Sequence, residues 1–227
     1  ASPHFSNTSV RPCMADSNQT HRVVLASNNT GKLREIGDML KGLYMEVLLQ
    51  AQFQVPEVEE TGLTFVENAI LKARNAARYS GLPAIGDDSG IEIDALGGKP
   101  GIYSARYAGT GSSDEDNLRK LIGEIRQLPE QDRRARFVCC MAYLRHADDP
   151  DPVLARGVWE GIAITEPRGS NGFGYDPVFY VATHDCTSAE LPPAVKNQLS
   201  HRGQALYQLM KNLKAEDSVM HPVTQTG

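Results

Sequence analysis

Apolar residues at helical spacing alternate with short β-type runs along the whole 227-residue chain, and this interleaving constrains the fold more than any single motif. Arg22 to Ser27 (RVVLAS) reads as a strand. Leu33, Ile36, Leu40 and Leu43 then recur three or four residues apart, the mark of a helix with one buried face. Phe65, Ala69, Ile70, Ala73 and Ala77 signal a second helix, opened by a Thr64-x-x-Glu67 capping box and stopped at Gly81. PAIGDDSGIEIDAL reads as a strand, a charged turn at Asp87-Asp88, and a second strand in which Ile91 and Ile93 alternate with Glu92 and Asp94. Leu118, Leu121, Ile122 and Ile125 form a helical face behind an acidic start that suits the helix dipole. ARFVCCMAYLR and VLARGVWEGIAI read as paired strands, DPVFYV as a shorter one, and Leu206, Leu209, Met210 and Leu213 as the buried face of a closing helix. No Gly/Ser linker or internal repeat intervenes, so the expectation is one mixed α/β domain, bilobed around a cleft.

Charge and composition exclude several classes. A net charge of −5 argues against general nucleic-acid binding, which wants a strongly basic face. No apolar run approaches the roughly 18 residues needed to span a bilayer, so no membrane partner is expected. The four cysteines, Cys13, Cys139, Cys140 and Cys186, contain no C-x-x-C pair. They read as reduced thiols of a cytoplasmic protein, with Cys139 and Cys140 on opposite faces of a strand. ASPHFSNTSVRPC has no apolar core and is not a signal peptide. Met14 reads as the natural start. The expected boundaries are an extension over 1–21, a domain over 22–214 and a tail over 215–227.

Three clusters carry chemistry. Ser27, Asn28, Asn29, Thr30 and Gly31 crowd small donors at a strand-to-helix junction, with Lys32 in the first helical turn. Free backbone N–H groups, the helix dipole and a lysine suit an anion there, yet the same residues also suit a plain N-cap turn. A Walker A loop is excluded, because Ala26 stands where its first glycine belongs and Leu33 where its Ser or Thr belongs. The second cluster is acidic. Glu57, Glu59 and Glu60 taken alone read as a solvated face, whereas Asp87-Asp88 at the end of an apolar strand is costly without a cation, and Mg2+ would satisfy it. In the third, NGFGYDPVF, glycines and a proline hold Phe173, Tyr175 and Asp176 on a loop where a planar ring could stack. Near the end, KNQLSHRG offers Lys196, His201 and Arg202, with Ser200 as a cap for the last helix. An arginine can fork onto the O6 and N7 of a 6-oxopurine, although a His-Arg pair by itself is more often surface charge.

SNNTGK, EETGLTFVENAILKA, GDDSGIEIDALGGKPGIYSARYAG, FGYDPVF and SHRGQAL follow one another in the order found in the inosine triphosphate pyrophosphatase family. From about Arg22 to about Leu213 the chain closely resembles the bacterial branch of that family, which hydrolyses ITP, dITP and XTP to the monophosphate and pyrophosphate. It departs in small ways, with SNN where some relatives have TGN and Ile91 where Leu is common. The S-x-S-P-R-R loop of the Maf-like pyrophosphatases is absent. The resemblance implies a mixed α/β fold with a long central sheet, a cleft between two lobes and a homodimer. It implies that Ser27, Asn28, Asn29, Thr30, Gly31 and Lys32 grip the triphosphate, and that Lys72 adds positive charge. Glu60 and Asp88 would hold Mg2+. Asp88 would also accept the proton of the attacking water, with Ser89 touching substrate. Phe173, Gly174, Tyr175, Asp176, Lys196, His201 and Arg202 would surround the base.

Overall fold

In the computed structural model, residues 21–40 and 45–220 are described, the last five as backbone only. The expectations for Cys13, Met14, Leu43 and the chain beyond 220 fall outside that range. Seven strands form one open sheet in the order β2-β1-β3-β4-β5-β6-β7. They are β1 (His21–Ala26), β2 (Met45–Leu49), β3 (Ala84–Ile93), β4 (Arg134–Leu144), β5 (Val153–Ala163), β6 (Phe179–Val181) and β7 (Cys186–Thr187). β1 pairs in parallel with β2 and β3, and every later pairing is antiparallel. The helices are α1 (Thr30–Leu40), α2 (Phe65–Ser80), α3 (Asp114–Ile125), α4 (Pro193–Leu199) and α5 (His201–Met220). The mixed α/β domain with a long sheet flanked by helices stands as expected. Among the described residues no helix is long and apolar enough to cross a membrane.

The helices divide between the two faces. Phe65, Ala69, Ala73, Ala76 and Ala77 of α2 pack with Val24, Ala84, Cys140 and Ala142. Ile36 and Leu40 of α1 join Ala205, Leu206 and Leu209 of α5 on the other face, against Leu25, Ile85, Cys139 and Met141. Consecutive Cys139 and Cys140 thus face opposite ways, as strand alternation requires, and both are free buried thiols. A third cluster around Ile91, Ile93, Leu121, Ile125, Phe137 and Phe179 builds the far lobe. Alanines let α2 lie directly on β3, where a Cβ on Gly86 would come within 2.1 Å of the Ala69 carbonyl oxygen. The capping box at Thr64 and Glu67 and the stop at Gly81, with φ +68°, are both present.

One expectation is overturned. PAIGDDSGIEIDAL is not strand, turn and strand: Ala84 to Ile93 is one strand, in register with β4 from Ala84↔Leu144 to Ile93↔Ala135. Asp94 does not continue it but opens a 3-10 turn to Leu96. A turn was expected because charged side chains inside a sheet are costly when unpaired. Here lysines from α1 and α2 reach Asp87 and Asp88, so the strand runs through.

Candidate active site

β1 ends at Ala26, opposite Gly86, while β3 runs on to Ile93. Beyond Gly86 the β1 side of β3 therefore opens into a crevice, and the chain leaving β1 enters α1 at its mouth. Here, at the carboxyl end of a parallel strand, flanked by helices on opposite faces, open α/β sheets bind ligands. The pocket is lined by Asn29, Lys32, Glu60, Asp88, Ser89, Phe173, Gly174, Tyr175, Asp176, Lys196, His201 and Arg202, with Phe137 and Ser104 among its walls.

At one end stands the start of α1. The Asn29 side chain accepts from the Lys32 backbone N–H at 3.0 Å, and Ser27 Oγ accepts from the Asn29 N–H at 3.1 Å. The turn thus caps its own helix while Lys32 lines the cleft and pairs with Asp87 behind its wall. Asn28 is held at the side by Gln50, whose Nε2 donates to Asn28 Oδ1 at 2.9 Å. Gly31 is covered by a ring: a Cβ there would lie 2.4 Å from Phe173. Ser27, Asn28, Thr30, Gly31 and Lys72 are not walls of this pocket, although each adjoins one.

Strand alternation sends Asp87 and Asp88 to opposite faces, so the two neighbours do not share one cation as the sequence suggested. Asp88 turns toward α2. Lys72 Nζ donates to its Oδ1 at 2.7 Å, Asn68 Nδ2 donates to its Oδ2 at 3.3 Å, and Lys72 also pairs with Glu60 at 2.6 Å. Asn68 and Lys72, one turn apart on α2, lie on the same helical face and both reach Asp88. Arg106 meets the other oxygen of Glu60. Burial pushes Asp88 above the usual carboxylate range, assisted by Glu60 and opposed by Lys72 and Lys32. Burial raises Glu60 as well, but Lys72 and Arg106 together hold it below its ordinary value. For Lys72, burial is outweighed by Asp88, Glu60 and Asp87, which raise it and keep it charged.

Glu60 and Asp88 converge on one cationic point, the Lys72 ammonium, so their donor set suits a hard cation. Among the described residues no group of three or more His, Cys, Asp or Glu could hold a metal alone. Mg2+ fits such a site, because it takes one or two carboxylates and fills its shell with water and phosphate oxygens.

Phe173, which covers Gly31, anchors a group of rings and cations. Lys196 Nζ and the Arg202 guanidinium lie 5.3 and 5.5 Å from the Phe173 centroid. Asp176, buried, accepts from Ser188 Oγ at 2.8 Å and from the Phe173 N–H at 2.9 Å, and it pairs with Lys196. The Tyr175 ring belongs to the core, and its hydroxyl donates to the Ser104 carbonyl at 2.7 Å, so it forms wall rather than a free stacking face. His201 stacks on Phe137 with centroids 4.6 Å apart and planes 10° from parallel. Burial and the charges of Arg202 and Lys196 drive its pKa well below the ordinary histidine value, leaving it neutral, and its Nδ1 has no hydrogen-bond partner among the described residues. Ser200 Oγ caps α5 by accepting from the Gly203 N–H at 3.1 Å. Arg202 Nη2 donates to Ser89 Oγ at 2.9 Å.

Sequence reasoning missed Glu35 and Arg106. Glu35 bridges the base-end cations, meeting Lys196 at 2.6 Å and Arg202 more closely still. Its position three residues after Lys32, on the same helical face, was the available signal.

An open α/β sheet with a cationic helix start, paired carboxylates and a ring pocket along one cleft defines a nucleotide-handling enzyme. The chain belongs to the Ham1 family, whose model matches residues 23–212. It is 54% identical over 195 residues to a dITP/XTP pyrophosphatase of Vibrio cholerae, spanning 86% of this chain and 98% of that one. With a dITP/XTP pyrophosphatase of Thioalkalivibrio sulfidiphilus the identity is 57% over 193 residues, 85% of this chain and 98% of that one. A solved HAM1 protein from Coxiella burnetii superposes with a TM-score of 0.79 at 49% identity, covering 86% of this chain and 99% of that one.

Proposed function

We propose that this protein hydrolyses deaminated purine nucleoside triphosphates, namely ITP, dITP and XTP, to the monophosphate and pyrophosphate by attack of water on the α-phosphorus. The observation that carries the reading is that one cleft brings together Lys32 at the α1 start, Asp88 and Glu60 paired through Lys72, and the Phe173, His201 and Arg202 group. More than half identity to dITP/XTP pyrophosphatases over nearly their whole length supports it.

Negative charge builds on the bridging oxygen as pyrophosphate leaves. Lys32 and Lys72 stand to neutralise it, in a reaction that position and electrostatics catalyse more than covalent chemistry does. Asp88 accepts the proton of the attacking water, Ser89 touches the substrate, and Glu60 with Asp88 would hold Mg2+. When bound, that ion acidifies the water and screens the phosphate charge. His201 and Arg202 face the base, with Arg202 donating to O6. Adenine presents an amino group at that position, leaving buried donors unpaired and rejection steep. The homodimer and the cytoplasmic setting belong to the same reading and rest on the family resemblance.

The test is a product assay with ITP, dITP, XTP, ATP and GTP in the presence of Mg2+. Monophosphate and pyrophosphate from the first three are expected, and diphosphate with orthophosphate would overturn the reading. In the same assay Arg202→Ala is expected to lose about 10- to 100-fold of the preference for ITP over ATP, the worth of an unpaired buried donor. A retained preference would take Arg202 away from O6. Gly31→Ala forces the Phe173 ring aside or strains the loop, a cost of about 1–3 kcal/mol for overpacking. A raised KM for ITP with a lower melting midpoint is expected; unchanged values of both would show that ring and loop give way freely.

A further inference from the structure

Asp87 lies behind the pocket wall, on the face of β3 away from Asp88, with its side chain fully buried. Three groups meet it there. Lys32 Nζ pairs with Oδ1, Cys139 Sγ donates to Oδ2 at 3.0 Å, and Arg202 Nε stands 3.6 Å from Oδ2. Lys32 comes from the first turn of α1, which the functional reading gives to the phosphates, and Arg202 from the first turn of α5, which it gives to the base. The residue between them is anchored in the middle of the sheet, in register with Met141 of β4.

Accepting the functional reading above, we propose that Asp87 is a positioning residue that sets the span between the phosphate-end lysine and the base-end arginine. Its carboxylate gives both cations a common counter-ion on a rigid strand. A buried charge shared in this way holds both partners at fixed reach, because the departure of either leaves the carboxylate under-compensated in a low-dielectric interior. Without that charge, Lys32 loses its counter-ion and Arg202 is left with Glu35 and Ser89, so the two cations repel each other and their relative placement loosens, and discrimination between bases weakens as well as turnover. Asp87 touches no substrate in this scheme. It makes the fit at the base felt at the phosphorus.

Two measurements test this. In the first, kcat/KM for ITP and ATP is determined for the wild type, Lys32→Met, Arg202→Lys and the double variant, and the same cycle is repeated on an Asp87→Asn background. In the wild-type background the two changes are expected to depart from additivity by about 5-fold or more, as side chains with a shared partner do. Lys32→Met is also expected to lower the ITP-to-ATP ratio, although that lysine lies at the phosphate end. With Asp87→Asn the coupling should vanish and the ratio fall. The second measurement needs no Asp87 variant: the Arg202 Nε–H resonance is followed in nucleotide-free protein and should move on Lys32→Met. Additive effects in an active enzyme, coupling that survives Asp87→Asn, or an unmoved Arg202 resonance would each overturn the inference alone. A wild type that releases no pyrophosphate from ITP would overturn the functional reading, and this inference with it.

Discussion

Asp88→Asn is expected to lower turnover on ITP by about 10²- to 10⁴-fold, the usual worth of a positioned proton acceptor. The substitution preserves shape and leaves a side-chain oxygen for Asn68 Nδ2, so the strand and its register with Cys140 of β4 have no reason to change. What it removes is a carboxylate that burial has pushed above its ordinary range. That direction matters, since a carboxylate engaged by cations is a weak base and burial opposes the weakening. Oδ1 is engaged by Lys72, and among the described residues Oδ2 meets only the neutral Asn68 amide at 3.3 Å, so one oxygen remains available to a water. Steady-state kinetics with pyrophosphate detection checks the effect, with melting midpoints confirming that the variant folds. Turnover within a few-fold of the wild type would remove Asp88 from the proton transfer.

The helices and their faces were legible because spacing reports burial directly: Leu121 and Ile125 on α3, and Leu206 and Leu209 on α5, are buried where their period placed them. β3 was misread for a physical reason. Paired carboxylates normally mark a turn, and the lysines that keep them inside the sheet lie far away in sequence, Lys32 on α1 and Lys72 on α2. The same limit applies to the site. SNNTGK could be seen as an anion loop or as a cap, and the structure shows capping by Asn29 with Lys32 still directed into the cleft. Glu35 could be placed on the Lys32 face of its helix, but not joined to Lys196 and Arg202, which lie more than 160 positions along the chain. Individual motifs displayed their donors. Which donor meets which acceptor is decided by strand alternation and helix placement, and those emerge only on folding.

Lys72→Met should show that the cleft's carboxylates need a cation even when no nucleotide is bound. The lysine ammonium is the common partner of Asp88 and Glu60, and removing it leaves two partly buried negative charges close together. Breaking a buried ion pair from one side costs about 3–5 kcal/mol; Arg106 still compensates one oxygen of Glu60, so the lower end of that range is expected in the presence of a chelator. The loss should appear as a fall in melting midpoint. Mg2+ should recover part of it, and should recover more for the variant than it adds to the wild type, because a ligand stabilises only the folded form that binds it. Turnover should nevertheless stay about 10²- to 10³-fold down at saturating Mg2+, since a positive group facing the developing charge has been lost. These two readouts separate the roles of Lys72. Mg2+ that restored both stability and turnover would make the lysine only a counter-ion to Glu60 and Asp88, and an unchanged midpoint in chelator would mean that the carboxylates are neutralised by protons instead.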